Sequence, residues 1–261
     1  MAPWNLSVTN YGVVKEQQFE VAVLPLGATE PHNLHLPYST DTFCTTRVAE
    51  LICQSAWERG AKVVLLPTIP YGTQTNQREF PLALNVNPST MNLLLADLVE
   101  SLAYGNIRKI VLLNGHGGNE LKGFLRESYG KIDAKIFACD WYRCLNDKYD
   151  DIFEYPEDHA GEMETSLMLT LAPELVAQDE KGRLLADDGA MRPTRFEAVN
   201  RGWVSIARPW HLLTSNSGSA NPHKATAAKG GQTLEWVTER LAQFLVELAT
   251  TPLDETFPFE H

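Results

Sequence analysis

Apolar residues along this chain fall into two rhythms. Val21–Leu26 and the runs 62–66 and 108–113 are short and continuously apolar, without the alternation of a half-exposed strand, and predict buried β-strands. The run 135–139 predicts a fourth. Each of the first three ends in a polar loop bearing Gly or Pro, and a helical pattern follows. After the first, Val48, Leu51, Ile52 and Ala56 recur at helical spacing between Asp41, which reads as an N-cap, and Gly60, which stops the helix. After the second, a long loop leads to Asn87-Pro88-Ser89, a helix start, with Met91, Leu94, Leu95, Leu98 and Leu102 on one face. After the third, the turn from Asn114 to Asn119 leads into a short helix. Residues 179–221 show no period and predict short irregular pieces. Residues 222–250 predict a long helix with Leu234, Val237, Leu241, Leu245 and Leu248 on its apolar side, and 252–261 an extended surface arm. Strand–helix alternation with continuous apolar strands predicts an α/β fold, a three-layer α/β/α sandwich around a mainly parallel sheet. Ligand sites in such folds lie beyond the carboxyl ends of the strands.

Composition adds bounds. The 261 residues suit a single domain spanning 1–261, and 44% hydrophobic with 21% charged residues is an ordinary globular balance. A net charge of -11 repels phosphate backbones and anionic lipid, so neither nucleic acid nor membrane is an expected partner. The N-terminal residues lack a basic stretch followed by an apolar run, and no run approaches the roughly 20 residues of a spanning helix. A cytoplasmic protein is the expectation. Cys44, Cys53, Cys139 and Cys144 form no C-x-x-C pair and read as buried free thiols.

Three polar segments follow the strands. In the first, Glu30-Pro-His32 places a carboxylate and an imidazole two residues apart, hence on one face of extended backbone, and Pro31 favours that geometry. Asp41, at the next helix start, can bend back to the same point, so the loop offers a ligand set for a divalent metal. A polar loop with Asp41 only capping a helix is the alternative. The second, Asn114-Gly-His116-Gly-Gly-Asn119, lets backbone approach a ligand and projects His116 from a strand end. It matches neither dinucleotide nor P-loop patterns, and a central histidine suits metal better than phosphate. The third, Asp158-His159-Ala-Gly-Glu162-Met-Glu164-Thr-Ser, brings one imidazole and two carboxylates to the start of an apolar helix. An acidic first turn facing the helix dipole explains the glutamates but not His159.

In this order the three segments resemble the creatininase family. Its members carry a Pro-x-Gly-(Ser/Ala)-x-Glu-x-His loop ending in Asp, an Asn-Gly-His turn and a His-(Ala/Gly)-Gly-x-x-Glu-Thr-Ser segment. The resemblance covers roughly residues 20–172, with an echo in Asn221-Pro-His-Lys-Ala-Thr-Ala-Ala-Lys-Gly230. It implies an amidohydrolase with two divalent ions (Zn, Mn or Fe) per chain and a metal-activated bridging water that attacks a small amide or formamide. Glu30, His32, Asp41 and His116 would be ligands, Asp41 bridging, and His159 the catalytic acid/base. A small-molecule amide substrate and a homo-oligomer, the hexamer of the family, are implied likewise. Serine or cysteine hydrolysis lacks a G-x-S-x-G elbow, and a non-catalytic metal- or small-molecule-binding α/β protein is the competing reading.

The chain departs from creatininase itself in several places. Gly117-Gly118 stand where creatininase has Tyr-Glu, the Glu being a metal ligand, and Tyr155-Pro156 stand for a Trp-Asp pair. Creatinine is therefore not the expected substrate. The fifth ligand lies between Glu162 and Glu164. Creatininase is apolar at the place of Glu162 and keeps glutamate at that of Glu164, so the missing carboxylate is expected to reappear at Glu162, with Glu164 orienting a neighbour.

Overall fold

The four apolar runs pair into one sheet in a computed structural model that describes residues 2–259. The strands are β1 (Val21–Leu26), β2 (Val63–Leu65), β3 (Lys109–Asn114) and β4 (Lys135–Asp140). Their order is β2-β1-β3-β4 and every pairing is parallel. β1 and β3 are buried at every position, as continuous apolar runs require, whereas the edge strand β4 is partly exposed.

Side-chain alternation divides the core. Val21, Val23, Val63, Leu65, Val111 and Leu113 pack with residues of the helices Thr40–Glu58, Glu162–Leu171 and Ala227–Thr250. Ala22, Leu24, Leu26, Val64, Ile110 and Leu112 pack with residues of the helices Pro88–Tyr104 and Lys122–Ser128 on the other face. The expected α/β/α sandwich is thus present. No helix among the described residues is long and apolar enough to cross a membrane.

Helix details depart from expectation where packing overrides period. The helix opening at Asn87-Pro88 buries Met91, Leu95 and Val99, while Leu94 is 40% exposed. The Ala227–Thr250 helix buries all five of its expected residues. Asp41 is not an N-cap: Ser39 holds that position, and Asp41 lies inside the first turn with its carboxylate turned elsewhere. The tail lies on the surface as expected, but it turns at 255–258 rather than running extended, and its Phe257 ring meets Phe137 of β4 edge-on at 6.3 Å. Residues 260 and 261 of that tail lie outside the described residues.

From β1 the chain moves to one side, to β2, and from β3 to the other, to β4. The topological switch point therefore lies between the carboxyl ends of β1 and β3, where Leu26 is in register with Asn114.

Candidate metal centre

The loop after β1 passes close under the next helix. A Cβ on Gly27 would stand 2.8 Å from the Thr42 backbone, so glycine permits this approach. The loop is then held by the Glu30 N–H donating to Tyr38 O at 3.0 Å and by a bridge between His32 and Leu36. After β3, an Asn114–Asn119 side-chain bond and Thr73 N–H donating to Asn119 Oδ1 clamp the Gly-rich turn against the loop that follows β2.

These clamps bring Glu30, His32, Asp41 and His116 together, and the start of the Glu162–Leu171 helix with the residues before it adds His159 and Glu164. Two triads of ligand atoms share Asp41: Glu30–Asp41–His116 and His32–Asp41–Glu164. Asp41 Oδ1 lies 3.0 Å from His32 Nε2, and Asp41 Oδ2 lies 3.0 Å from His116 Nδ1. His116 Nδ1 is equally 3.0 Å from Glu30 Oε1, and His32 Nε2 is 3.9 Å from Glu164 Oε2. Glu30 and His32 are at most 1% exposed.

Each of the three histidines commits one ring nitrogen to a backbone carbonyl. His32 Nδ1 meets Glu30 O at 3.0 Å, His116 Nε2 meets Thr73 O at 3.0 Å, and His159 Nε2 meets Pro31 O at 2.8 Å. Carbonyls only accept, so these nitrogens carry the proton, and the opposite nitrogen of each neutral ring presents a lone pair to the cluster. Glu30 is oriented in turn by the Gln77 side-chain amide, which donates to its Oε2.

Protons substitute for cations in this arrangement. Burial alone would keep His32 neutral, but the Asp41 carboxylate outweighs it and carries its pKa up to about 10. His116 is likewise raised well above its usual value, against burial, by Glu30 and Asp41. Asp41 is held below the usual carboxylate range because His32 and His116 overcome its burial. Burial, with Asp41 and Glu30 nearby, lifts Glu164 to about 7 despite His32. His159 moves the other way, lowered by burial and by the His32 ring beside it, which holds it neutral. Asp41 Oδ2 is buried and finds no hydrogen-bonded donor among the described residues, despite the nearness of the His116 ring. With the rings neutral, a buried carboxylate oxygen among converging imidazole lone pairs fits a divalent cation, whose charge takes the place of those protons.

Glu162 requires a correction. The expected fifth ligand is fully buried, but its Oε2 accepts the backbone N–H groups of Glu154 and Tyr155, each at 2.9 Å, and its Oε1 pairs with Lys229 Nζ. Residues two apart on a helix diverge by about 200°. Glu164 therefore faces the cluster, and Glu162 faces away from it. Gln77, Thr73 and Trp210 were missed. The first two lie in the long loop after β2. Trp210, whose ring stands edge-on to His159 at 5.1 Å, lies in the aperiodic stretch. A polar pattern without period carries no signal for such contacts.

A cavity of about 660 Å³ opens beside Glu164, Gly115 and Gly117, walled by Trp141, Tyr149, Tyr155 and Glu157. Burial and the nearby Glu164 raise Glu157 to about 8, although its carboxylate accepts two backbone N–H groups.

Comparison with known proteins places the chain among relatives of one family. The family model described as creatinine amidohydrolase matches residues 7–245. The mycofactocin precursor peptide peptidase of Mycobacterium tuberculosis strain H37Rv is 31% identical over 219 residues, 80% of this chain and 77% of that protein. The creatinine amidohydrolase of Pseudomonas putida is 32% identical over 179 residues, 61% of this chain and 67% of that protein. Among solved structures, a candidate creatinine amidohydrolase from Bacteroides fragilis NCTC 9343 superposes with a TM-score of 0.87 at 37% identity, covering 98% of this chain and 100% of that one. With the family model matching most of the chain and a superposition of TM-score 0.87, the chain belongs to the creatininase family.

Proposed function

We infer that this chain is a dinuclear metal-dependent amidohydrolase, one domain over residues 1–261, that cleaves the C–N bond of a small amide or formamide. The observation that carries this reading is Asp41, one buried carboxylate shared by two ligand triads. Glu30, Asp41 and His116 would hold one ion, and His32, Asp41 and Glu164 the other. Oxygen and nitrogen donors without thiolate suit Zn, Mn or Fe.

Two such ions, when bound, acidify water and polarise a carbonyl. The protein does the rest. The carbonyls of Glu30, Thr73 and Pro31 fix the rings of His32, His116 and His159. Gln77 holds Glu30. His159 Nδ1, 3.6 Å from Glu30 Oε1 and kept neutral by burial, is placed to accept a proton and return it to the departing nitrogen. Amide nitrogen leaves poorly as an anion, so that return is the step a positioned acid must supply. The cavity beside Glu164 admits the substrate.

Tyr155 and Pro156 at the cavity wall replace the Trp-Asp pair expected of a creatinine site, which argues for another amide. The named relatives span a peptide peptidase, a creatinine amidohydrolase and a 3-dehydro-scyllo-inosose hydrolase, so the family scaffold accepts varied substrates. A cytoplasmic homo-oligomer, the hexamer of the family resemblance, completes the proposal. Exposed Phe196, Trp203 and Ile206 offer apolar surface for contacts between copies.

The test is amine release from creatinine, N-formyl amino acids and short peptides by protein loaded with Zn or Mn. We expect turnover of at least one small amide, slow or absent creatinine hydrolysis, and loss of activity with chelator that added metal restores. Metal-loaded protein that releases amine from none of them would leave a binding protein. Preference for short peptides would move the substrate to the peptidase class.

A further inference from the structure

The segment Asn221-Pro-His-Lys-Ala-Thr-Ala-Ala-Lys-Gly230 has no part in the metal cluster, yet its side chains converge behind the cavity. Thr226 caps the long C-terminal helix by accepting the Lys229 N–H, and its own N–H donates to Ser166 Oγ at 3.1 Å. A Cβ on Gly230 would stand 2.0 Å from Ser166 O, so glycine lets this helix lie directly against the Glu162–Leu171 helix. That close approach delivers Lys229 Nζ to Glu162 Oε1, and Lys229 also reaches the Lys224 carbonyl at 3.1 Å. Glu162 is 0% exposed, and its other oxygen receives the N–H groups of Glu154 and Tyr155.

Glu154 and Tyr155 are part of the cavity wall beside Glu164. The wall is docked reciprocally onto the start of the helix that bears Glu164. Glu162 reaches back to the N–H groups of 154 and 155, and Glu157 reaches forward to those of Gly161 and Met163 at 2.9 and 2.7 Å. Tyr149 Oη adds a bond to the Tyr155 carbonyl at 2.9 Å. Of these ties, the Glu162 carboxylate is the one whose charge is balanced by a cation from another element. Both carboxylates accept two N–H groups, but only the Glu162 tie is anchored through Lys229 to the C-terminal helix, so it fixes the wall to a second element.

We propose that Glu162 and Lys229 are positioning residues for substrate: an ion pair between a buried carboxylate and a partly exposed lysine that fixes the Glu154–Tyr155 wall of the cavity relative to Glu164 without touching either metal site. The role as substrate positioning rests on the amidohydrolase reading above. The pair acts on how tightly the substrate is seated, not on the metals or the proton transfer.

The test uses the full chain loaded with Zn, as wild type, Glu162→Gln and the double variant Glu162→Met/Lys229→Met. The double variant removes both charges and so leaves no unpaired buried ion to prevent folding. Metal content should equal wild type in both. Hydrogen exchange at residues 154 and 155 should quicken by about tenfold in the double variant while β1 and β3 stay protected. For the best amide of the screen, KM should rise by roughly fivefold or more with kcat within about twofold. Metal loss in Glu162→Gln would make Glu162 a ligand and overturn the proposal. Unchanged exchange at 154 and 155, or a fall in kcat at constant KM, would overturn it too. A wild type that holds metal but turns over no amide refutes the amidohydrolase reading instead. The metal and exchange measurements then still decide whether the pair holds the wall.

Discussion

Gly118→Ala is a one-methyl perturbation with a calculable effect on metal binding. A Cβ at this position would stand 2.0 Å from Thr73 O and 2.5 Å from His116 Nε2. Carbon meets such atoms comfortably only beyond about 3.5 Å, so carbonyl, ring or turn must move by more than about 1 Å. The atoms that must part are the two ends of the 3.0 Å bond that fixes the His116 tautomer and aims its Nδ1 lone pair. Loss of such an orienting partner typically lowers metal affinity by about 10–100-fold, equivalent to about 1.4–2.7 kcal/mol. Gly117→Ala supplies the control, because a Cβ there meets nothing within 4 Å. Zn or Mn affinity measured by chelator competition should fall by that factor in Gly118→Ala and hold in Gly117→Ala. Equal affinities in the two variants would refute the claim that the Thr73 carbonyl orients a ligand. The same clash explains why no side-chain ligand stands at position 118.

Three further outcomes follow from the same geometry. Glu164→Gln should cost one of the two ions and most activity, read by elemental analysis; full retention would return the ligand role to another carboxylate. His159→Ala should lower turnover by roughly 10²-fold or more with metal content intact; metal loss would make it a ligand. In metal-free protein, stability should fall as pH rises from 6.5 to about 10. His32 is raised to about 10, against burial, by Asp41, Glu157 to about 8 by burial and Glu164, and Glu164 to about 7 by burial and Asp41. Each raised group stabilises the fold fully below its unfolded pKa and loses that contribution up to its folded one. His159 and His35, both lowered chiefly by burial, oppose this slope only at the foot of the window, while their unfolded imidazoles still bind protons. Thermal melts of chelator-treated protein in that window check the sign, and a rising melting temperature would contradict it.

The sheet was legible because a strand buried on both faces leaves little choice of residue. β1 matches its apolar run residue for residue, and β3 is displaced by one. The convergence of Glu30, His32, Asp41 and His116 was also legible, since strand ends of a parallel sheet are neighbours whatever the loops do. The choice between Glu162 and Glu164 was not. Which face of that helix meets the cluster is set by docking against Lys229 and Gly230, far along the chain. Leu94 shows the same limit in the core: it has the right period, yet it is 40% exposed while Val99 is buried. Asp41 satisfies every local rule for a cap, but the imidazoles beside it compete for its carboxylate and win.

The β1–β3 adjacency has a consequence for how the protein is made. The first triad needs His116, so it cannot close until β3 has slotted beside β1, past the intervening β2 and its helices. The second waits for Glu164, and the wall behind it waits for Lys229, 65 residues further along the chain. Non-local parallel pairing of this kind forms slowly. Free metal at a hundred times its dissociation constant adds about 2.7 kcal/mol to the finished state alone. On the proposed reading, metal supplied during expression would raise the share of newly made chain that stays native, before any substrate is met.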